Sequence, residues 1–101
     1  MILKLMRVRG DSLAPRFHSG DFVIISSLAL RLRPPRPADV IVFDQPAYGR
    51  LIKRIQRIEP DGRLFVRGDD IDSVDSRRFG PIDITAVKGL VVWHIVGRRE
   101  Q

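Results

Sequence analysis

Short apolar runs, several of them rich in β-branched residues and separated by glycine, proline and aspartate, dominate this chain of 101 residues. Branched side chains favour strands because they pack well on a pleated surface. Several short strands separated by turn residues predict an all-β sandwich or barrel. The predicted strands are Ile2 to Val8, Asp21 to Ser26, Asp39 to Asp44, Leu51 to Ile58, Arg63 to Arg67 and Val87 to Val96.

The fourth run, Leu51 to Ile58, needs a decision between helix and strand. Its isoleucines recur every third residue, as on a helix face, but the density of aliphatic residues favours a strand. The Pro-Asp-Gly sequence at residues 60–62 predicts a hairpin turn into the fifth run. In a strand, Leu51, Lys53 and Ile55 share one face. A lysine between two aliphatic neighbours then needs a functional reason.

Composition limits the classes of protein. A length of 101 residues with 44% hydrophobic residues predicts one globular domain, spanning 1–101. The absence of cysteine excludes disulfides, thiolate metal sites and cysteine nucleophiles. No apolar run reaches the roughly 18 to 20 residues of a membrane helix, and the N-terminus does not resemble a secretory signal. We therefore expect a cytoplasmic protein.

The net charge is +6, from 18 basic and 12 acidic residues. Such a surface favours anionic partners, namely nucleic acid, lipid headgroups or acidic peptides. Aromatic residues make up 7% of the chain and the arginines are scattered. Specific nucleic-acid binding is the least favoured of the three, because it usually needs aromatic platforms or a basic helix.

Residues 28–37 read Leu-Ala-Leu-Arg-Leu-Arg-Pro-Pro-Arg-Pro. The prolines break regular structure, whereas the leucines before them alternate with alanine and arginine. Two interpretations stay open. One is a loop with an ordinary edge strand, and the other is an extended lip at 28–33 that docks a peptide or makes a weak contact with a membrane surface.

Three segments contain the candidate catalytic groups. Gly10 precedes Ser12 where the first strand ends, and glycine permits the sharp turn and close backbone approach that an oxyanion hole needs. Lys53 lies on the fourth strand. Residues 67–81 combine four acids, two serines and three arginines. By spacing alone, ordinary turns explain these segments, and a serine with His18 or His94 as its base is an alternative catalytic set.

Together, these segments resemble the superfamily of signal peptidases and LexA-type self-cleaving repressors. The resemblance is carried by Gly-Asp-Ser-Leu at 10–13 with proline at 15, by Lys-Arg at 53–54, by Gly-Asp at 68–69 and by Ser-Val-Asp-Ser-Arg-Arg-Phe-Gly at 73–80. Leucine 13 replaces the family's usual methionine. The resemblance implies a mainly antiparallel all-β fold with coiled sheets and little or no helix.

The resemblance also implies the roles of individual residues. Ser12 is the nucleophile and Lys53 the general base, while Ser73 orients the lysine. Asp75 and Arg77 form a structural ion pair behind the site, and Asp69 supplies a charge that holds the same turn. Gly10 stands where signal peptidases often carry a hydroxyl side chain, so the oxyanion would be bound by backbone N–H groups alone. The peptidase would need no metal and no cofactor.

Within the superfamily, the chain is most similar to the soluble maturation proteases of nickel-type superoxide dismutase. It shows no membrane helix before Ser12 and no Ala-Gly self-cleavage site. We therefore expect a serine endopeptidase that binds a protein or peptide substrate as an extended strand and removes a leader or propeptide in trans. Two alternatives remain, a non-catalytic peptide-binding module on a peptidase scaffold and a basic nucleic-acid-binding domain.

Overall fold

The computed structural model describes residues 3–8, 20–68 and 73–96. All six predicted runs are strands in it, so the mainly antiparallel all-β fold is confirmed. Two short helices and one 3-10 turn are added to the strands. The elements are β1 Leu3–Arg7, β2 Phe22–Ser26, α1 Leu28–Leu32, β3 Val40–Gln45, β4 Gly49–Ile58, β5 Leu64–Arg67, α2 Ser76–Phe79, a 3-10 turn at Ile84–Ala86, and β6 Val87–Ile95.

The strands form one sheet in the order β1-β2-β6-β3-β4-β5, with every neighbouring pair antiparallel. β6 therefore lies between β2 and β3, although it is the last described strand in the chain. The pairing register shifts at three places, one each in β2, β3 and β4. Bulges of this kind bend a strand and increase its twist.

The two faces of the sheet bury separate apolar clusters. The helix-side cluster is centred on Ile41, Phe43 and Ile55, and both helices cover it. The second cluster, on the opposite face, contains Val23, Val40 and Val42, among others. Met6 of β1 and Ile52 of β4 both pack against the second cluster, although three strands separate β1 from β4. The sheet is therefore coiled, which agrees with the predicted coiling.

The fourth run is a strand, as predicted, and the predicted turn follows it. Gly62 adopts a φ of 90°, a conformation that side chains other than glycine disfavour. The Gly62 N–H donates to the Glu59 carbonyl at 2.9 Å, and the Glu59 N–H donates to the Arg63 carbonyl at 2.8 Å. β4 and β5 thus form a closed hairpin.

The prediction of a loop or edge strand at 28–33 is wrong, because Leu28–Leu32 is helical. Ser26 Oγ accepts a hydrogen bond from the Ala29 N–H at 3.1 Å at the start of the helix. Leu30 packs against the helix-side cluster while Leu32 is 77% exposed. Burial of Leu30 favours the helix. On a helix, residues two positions apart do not lie on one face, so the three leucines point in different directions. The alternating strand face is therefore not formed, while contact of 28–33 with a peptide or a membrane surface stays a prediction.

The described part of the chain holds no helix with the length and apolarity to cross a bilayer.

Candidate active site

Four candidate residues, Gly10, Ser12, His18 and Asp69, lie outside the described residues. The distance between Ser12 and Lys53 therefore stays a prediction. The residues that flank segment 9–19 are held together, because the Gly20 N–H donates to the Val8 carbonyl at 2.9 Å. The Val8 N–H in turn donates to the Asp21 carbonyl at 2.7 Å. The segment that contains Ser12 therefore leaves and rejoins the sheet at one place, where β1 and β2 pair.

Lys53 lies in the middle of β4, directly opposite Ile41 of β3. Its side chain shares a face with Leu51 and Ile55, as predicted, and both of these belong to the helix-side cluster or pack against it. Lys53 is only 4% exposed. Burial of this kind is rare for lysine, because the ammonium form loses its hydration.

The electrostatics around Lys53 favour the neutral amine. Burial lowers the pKa of the Lys53 side chain below the ordinary lysine value, and it outweighs the other influences. The negative charge of Asp75 opposes this effect by raising the pKa, whereas the positive charge of Arg77 lowers it further. The same electrostatic couplings show that the 73–77 segment lies close to Lys53 in the fold.

Asp75 is the centre of a hydrogen-bond network and is completely buried. Arg77 donates to it from Nε at 2.9 Å and from Nη2 at 2.7 Å, so the two form a bidentate ion pair. Ser73 Oγ donates to Asp75 Oδ2 at 2.8 Å, and the Gly68 N–H donates to the same oxygen at 2.9 Å. Arg77 Nη2 also donates to Ser73 Oγ at 3.1 Å. The network thus fixes Ser73 against Asp75.

Burial alone would raise the pKa of Asp75. The hydrogen bonds from Arg77, Gly68 and Ser73 more than offset this, and they hold the pKa of Asp75 well below its usual range. Asp75 is therefore ionised throughout the physiological pH range. A fixed negative charge is present near Lys53, but the loss of hydration still dominates the lysine's behaviour.

The sequence around Asp75 explains why this network forms. Asp75 caps α2, since its side chain accepts a hydrogen bond from the Arg77 N–H at 3.0 Å. The next residue, Ser76, is also buried, and its Oγ accepts from the Val66 N–H of β5 at 2.9 Å. Ser76 thus ties the helix to β5, and Asp75 ties it to Gly68 directly after β5. Gly80 ends the helix with a φ of 83°.

One further contact could not be predicted from the sequence. His94 Nε2 lies 2.7 Å from Asp21 Oδ2, and Asp21 is 1% exposed. The two residues are 73 positions apart, so no local motif joins them. Their contact depends on β2 and β6 being neighbours, which alternation of apolar residues does not determine. Because Asp21 adjoins segment 9–19, the contact links β6 to the end of the segment that contains Ser12.

A lysine base requires an environment that lowers its pKa, and Lys53 has such a buried position in the sheet. Comparison with known families agrees with this chemistry. Residues 1–61 match the family described as signal peptidase, peptidase S26. This is more than half of the chain, and the chain therefore belongs to that family. The matched residues include Ser12 and Lys53 but end before Ser73.

A curated relative supports the same family. The chain is 28% identical over 111 residues to the mitochondrial ATP-independent inner membrane protease subunit 1b of Arabidopsis thaliana. The match covers 85% of this chain and 66% of the relative, so the chain spans just under two thirds of that protein's length. The superfamily predicted from the motifs is confirmed. These comparisons do not support the finer assignment to the nickel-type maturation proteases.

Proposed function

We propose that the protein is a serine endopeptidase in which Ser12 is the nucleophile and Lys53 is the general base. The observation that carries the proposal is the buried Lys53, with its lowered pKa, in a chain of the signal peptidase family. A lysine in water is protonated at pH 7, since its ordinary pKa is roughly 10.4. Burial reduces that obstacle, because it lowers the pKa of Lys53 and so favours the neutral amine that accepts a proton.

In the proposed reaction, Ser12 Oγ attacks the scissile carbonyl while its proton passes to Lys53 Nζ. The carbonyl oxygen becomes an oxyanion, which backbone N–H groups at the Gly10–Ser12 turn would stabilise. Lys53 then gives the proton to the leaving amine, and the C–N bond breaks to leave an acyl-enzyme. A water molecule hydrolyses this ester, again with Lys53 as the base, and regenerates Ser12.

Ser73 and Asp75 act in this scheme as positioning residues. Ser73 Oγ donates its hydrogen to Asp75 and accepts one from Arg77. A hydroxyl oxygen has a second lone pair, which Lys53 would use as a hydrogen-bond acceptor for one of its N–H groups. The lysine lone pair would then be directed at Ser12 rather than at the acidic network.

For the substrate, we propose a protein whose leader or propeptide is removed in trans. The precursor of nickel-type superoxide dismutase is the specific candidate that the motifs suggest. The relative, by its name a subunit of a mitochondrial inner membrane protease, suggests precursors of membrane-associated proteins instead. Incubation with purified precursors of both kinds, followed by mass spectrometry of the products, distinguishes the two.

The catalytic pair is tested by Ser12→Ala and Lys53→Met, with Ser27→Ala and Lys88→Met as matched controls at exposed positions. We expect both test variants to lose cleavage of a precursor that the wild type processes, while the controls retain it. Circular dichroism would show that the folds are intact. Full cleavage by the Lys53→Met variant would refute the proposed base and favour His94, whereas a wild type that cleaves neither precursor would favour a non-catalytic scaffold.

A further inference from the structure

A cleft on the β4–β5 hairpin contains two arginines at directly opposed positions. Arg54 of β4 pairs in register with Arg67 of β5. The cleft has a volume of about 290 Å³ and is lined by Arg54, Ile55, Gln56, Arg67 and Gly68. Both arginines are half-buried. We call this feature the arginine cleft.

Two like charges at opposed positions of an antiparallel pair repel each other. Partial burial strengthens this repulsion, because less water screens it. An anion between the two guanidinium groups would convert the repulsion into attraction. Arg67 is the main group that would bind the anion, because Arg54 already takes part in another contact.

The acids nearest in the hairpin are already used elsewhere. Asp61 pairs with Arg63 at 2.8 Å, and Glu59 pairs with Arg57 at 3.0 Å. Asp75 is held by Arg77 at 2.7 Å. Within residues 3–8, 20–68 and 73–96, no carboxylate forms an ion pair with Arg67. Among the described residues, the charge of Arg67 is therefore not neutralised by an ion pair.

The arginine cleft adjoins the candidate active site. Arg54 follows Lys53 directly, and Gly68 of the cleft donates its N–H to Asp75 at 2.9 Å. Consecutive residues of a strand point to opposite faces, so Lys53 and Arg54 serve the two sides of β4. An extended peptide alternates in the same way. Among the described residues, β4 pairs with β5 only from Arg54 onwards, so a peptide strand lying beside residues 49–53 of β4 would direct alternate side chains towards the cleft.

We propose that the arginine cleft is a specificity subsite that takes an acidic side chain, Asp or Glu, of the extended peptide substrate. The inference rests on the proposed peptidase function. A carboxylate matches the planar fork of a guanidinium with two parallel hydrogen bonds. Gln56 adds an amide that donates to a carboxylate oxygen. An acidic residue also suits a chain whose net charge is +6.

The first test measures cleavage of a synthetic peptide library of randomised sequence, with mass spectrometry of the new termini. The test variant is Arg67→Gln. The matched control is Arg63→Gln, which removes the same charge from an exposed position in the adjoining turn. We expect the wild type and the control to enrich Asp and Glu at one position near the scissile bond. The enrichment falls about tenfold in Arg67→Gln, the effect of losing a hydrogen bond to a charged group. An unchanged profile overturns the inference.

The second test measures binding without cleavage, in the Ser12→Ala background and at constant ionic strength. The probes are fluorescein-labelled Ala-Glu-Ala-Glu-Ala-Ala and its counterpart with glutamine in place of glutamate. We expect about tenfold tighter binding of the glutamate peptide, and a ratio near one after Arg67→Gln. Equal binding of both peptides to the parent protein overturns the subsite whatever the activity. If the parent binds the glutamate peptide about tenfold more tightly but the wild type cleaves no peptide in the first test, the peptidase is refuted and the subsite is kept.

Discussion

Replacing Lys53 by methionine should stabilise the protein while it abolishes catalysis. Lys53 is 4% exposed, and burial dominates the lowering of its pKa. Its ammonium group therefore loses hydration that Asp75 does not fully replace. Methionine is unbranched and of similar length, so it keeps the apolar contacts with the helix-side cluster. Replacement of a buried ion pair by well-packed apolar side chains of similar volume is often neutral or stabilising, by about 1–4 kcal/mol where it stabilises. We expect a gain in that range at pH 7.

The pH dependence gives a sharper form of this prediction. Because the pKa of Lys53 is lower in the folded than in the unfolded state, the unfolded chain binds more protons in the interval between the two values. The free energy of unfolding of the wild type therefore rises with pH over that interval, which ends near the ordinary lysine pKa of roughly 10.4. The methionine variant lacks this rise. Its advantage should shrink as the pH increases towards 10.

Urea unfolding followed by circular dichroism at pH 7 and at pH 9.5 measures both effects. Lys88→Met is the matched control, since Lys88 is exposed and lies 3.8 Å from Asp44 on the sheet surface. We expect that control to change stability little at either pH. A Lys53→Met variant that is less stable than the wild type at pH 7 would refute the reasoning. A stability advantage of Lys53→Met over the wild type that does not change with pH would also refute it.

Three further substitutions test the framework around the site, each by urea unfolding. Asp75→Asn should lower the free energy of unfolding by about 3–5 kcal/mol at pH 7, because it leaves Arg77 without its buried anion. Since the pKa of Asp75 is depressed in the fold, this loss of stability shrinks as the pH falls below roughly 4. His94→Phe should cost about 1–3 kcal/mol by removing a partner of buried Asp21, and an unchanged stability would show the contact to be dispensable. Phe43→Ala should cost about 3–5 kcal/mol, since Phe43 is fully buried in the helix-side cluster, and a loss below 1 kcal/mol would contradict that packing.

The sequence predicted the strands well because local composition determines them. Most strands are short apolar runs, several of them rich in β-branched residues, and the period of two correctly placed Lys53 with Leu51 and Ile55 on one face. α1 was mispredicted because its leucines alternate, a strand-like period. Burial of Leu30 against the sheet outweighs that local pattern, and such tertiary packing is not visible in a short segment.

The candidate site was predictable only where motifs are local. Ser73, Asp75 and Arg77 lie within five consecutive positions, and they form one hydrogen-bonded network around the cap of α2. The contact between Asp21 and His94, and the opposition of Arg54 and Arg67, depend on which strands are neighbours and in which register. Those properties follow from the whole sheet, so no single segment predicts them. The pairing of Ser12 with Lys53 stays a prediction.

The position of β6 has a consequence for synthesis of the protein. β1 and β2 pair locally, as do β3, β4 and β5, but in the described sheet these two units are joined by hydrogen bonds only through β6. Such non-local pairing is slow compared with hairpin closure. Until residues from Val87 onwards have left the ribosome, Lys53 and the two strands that flank Ser12 therefore lie on separate sheet fragments of the nascent chain. If the proposed function holds, translation of the last described strand is the step that turns an inert polypeptide into a peptidase.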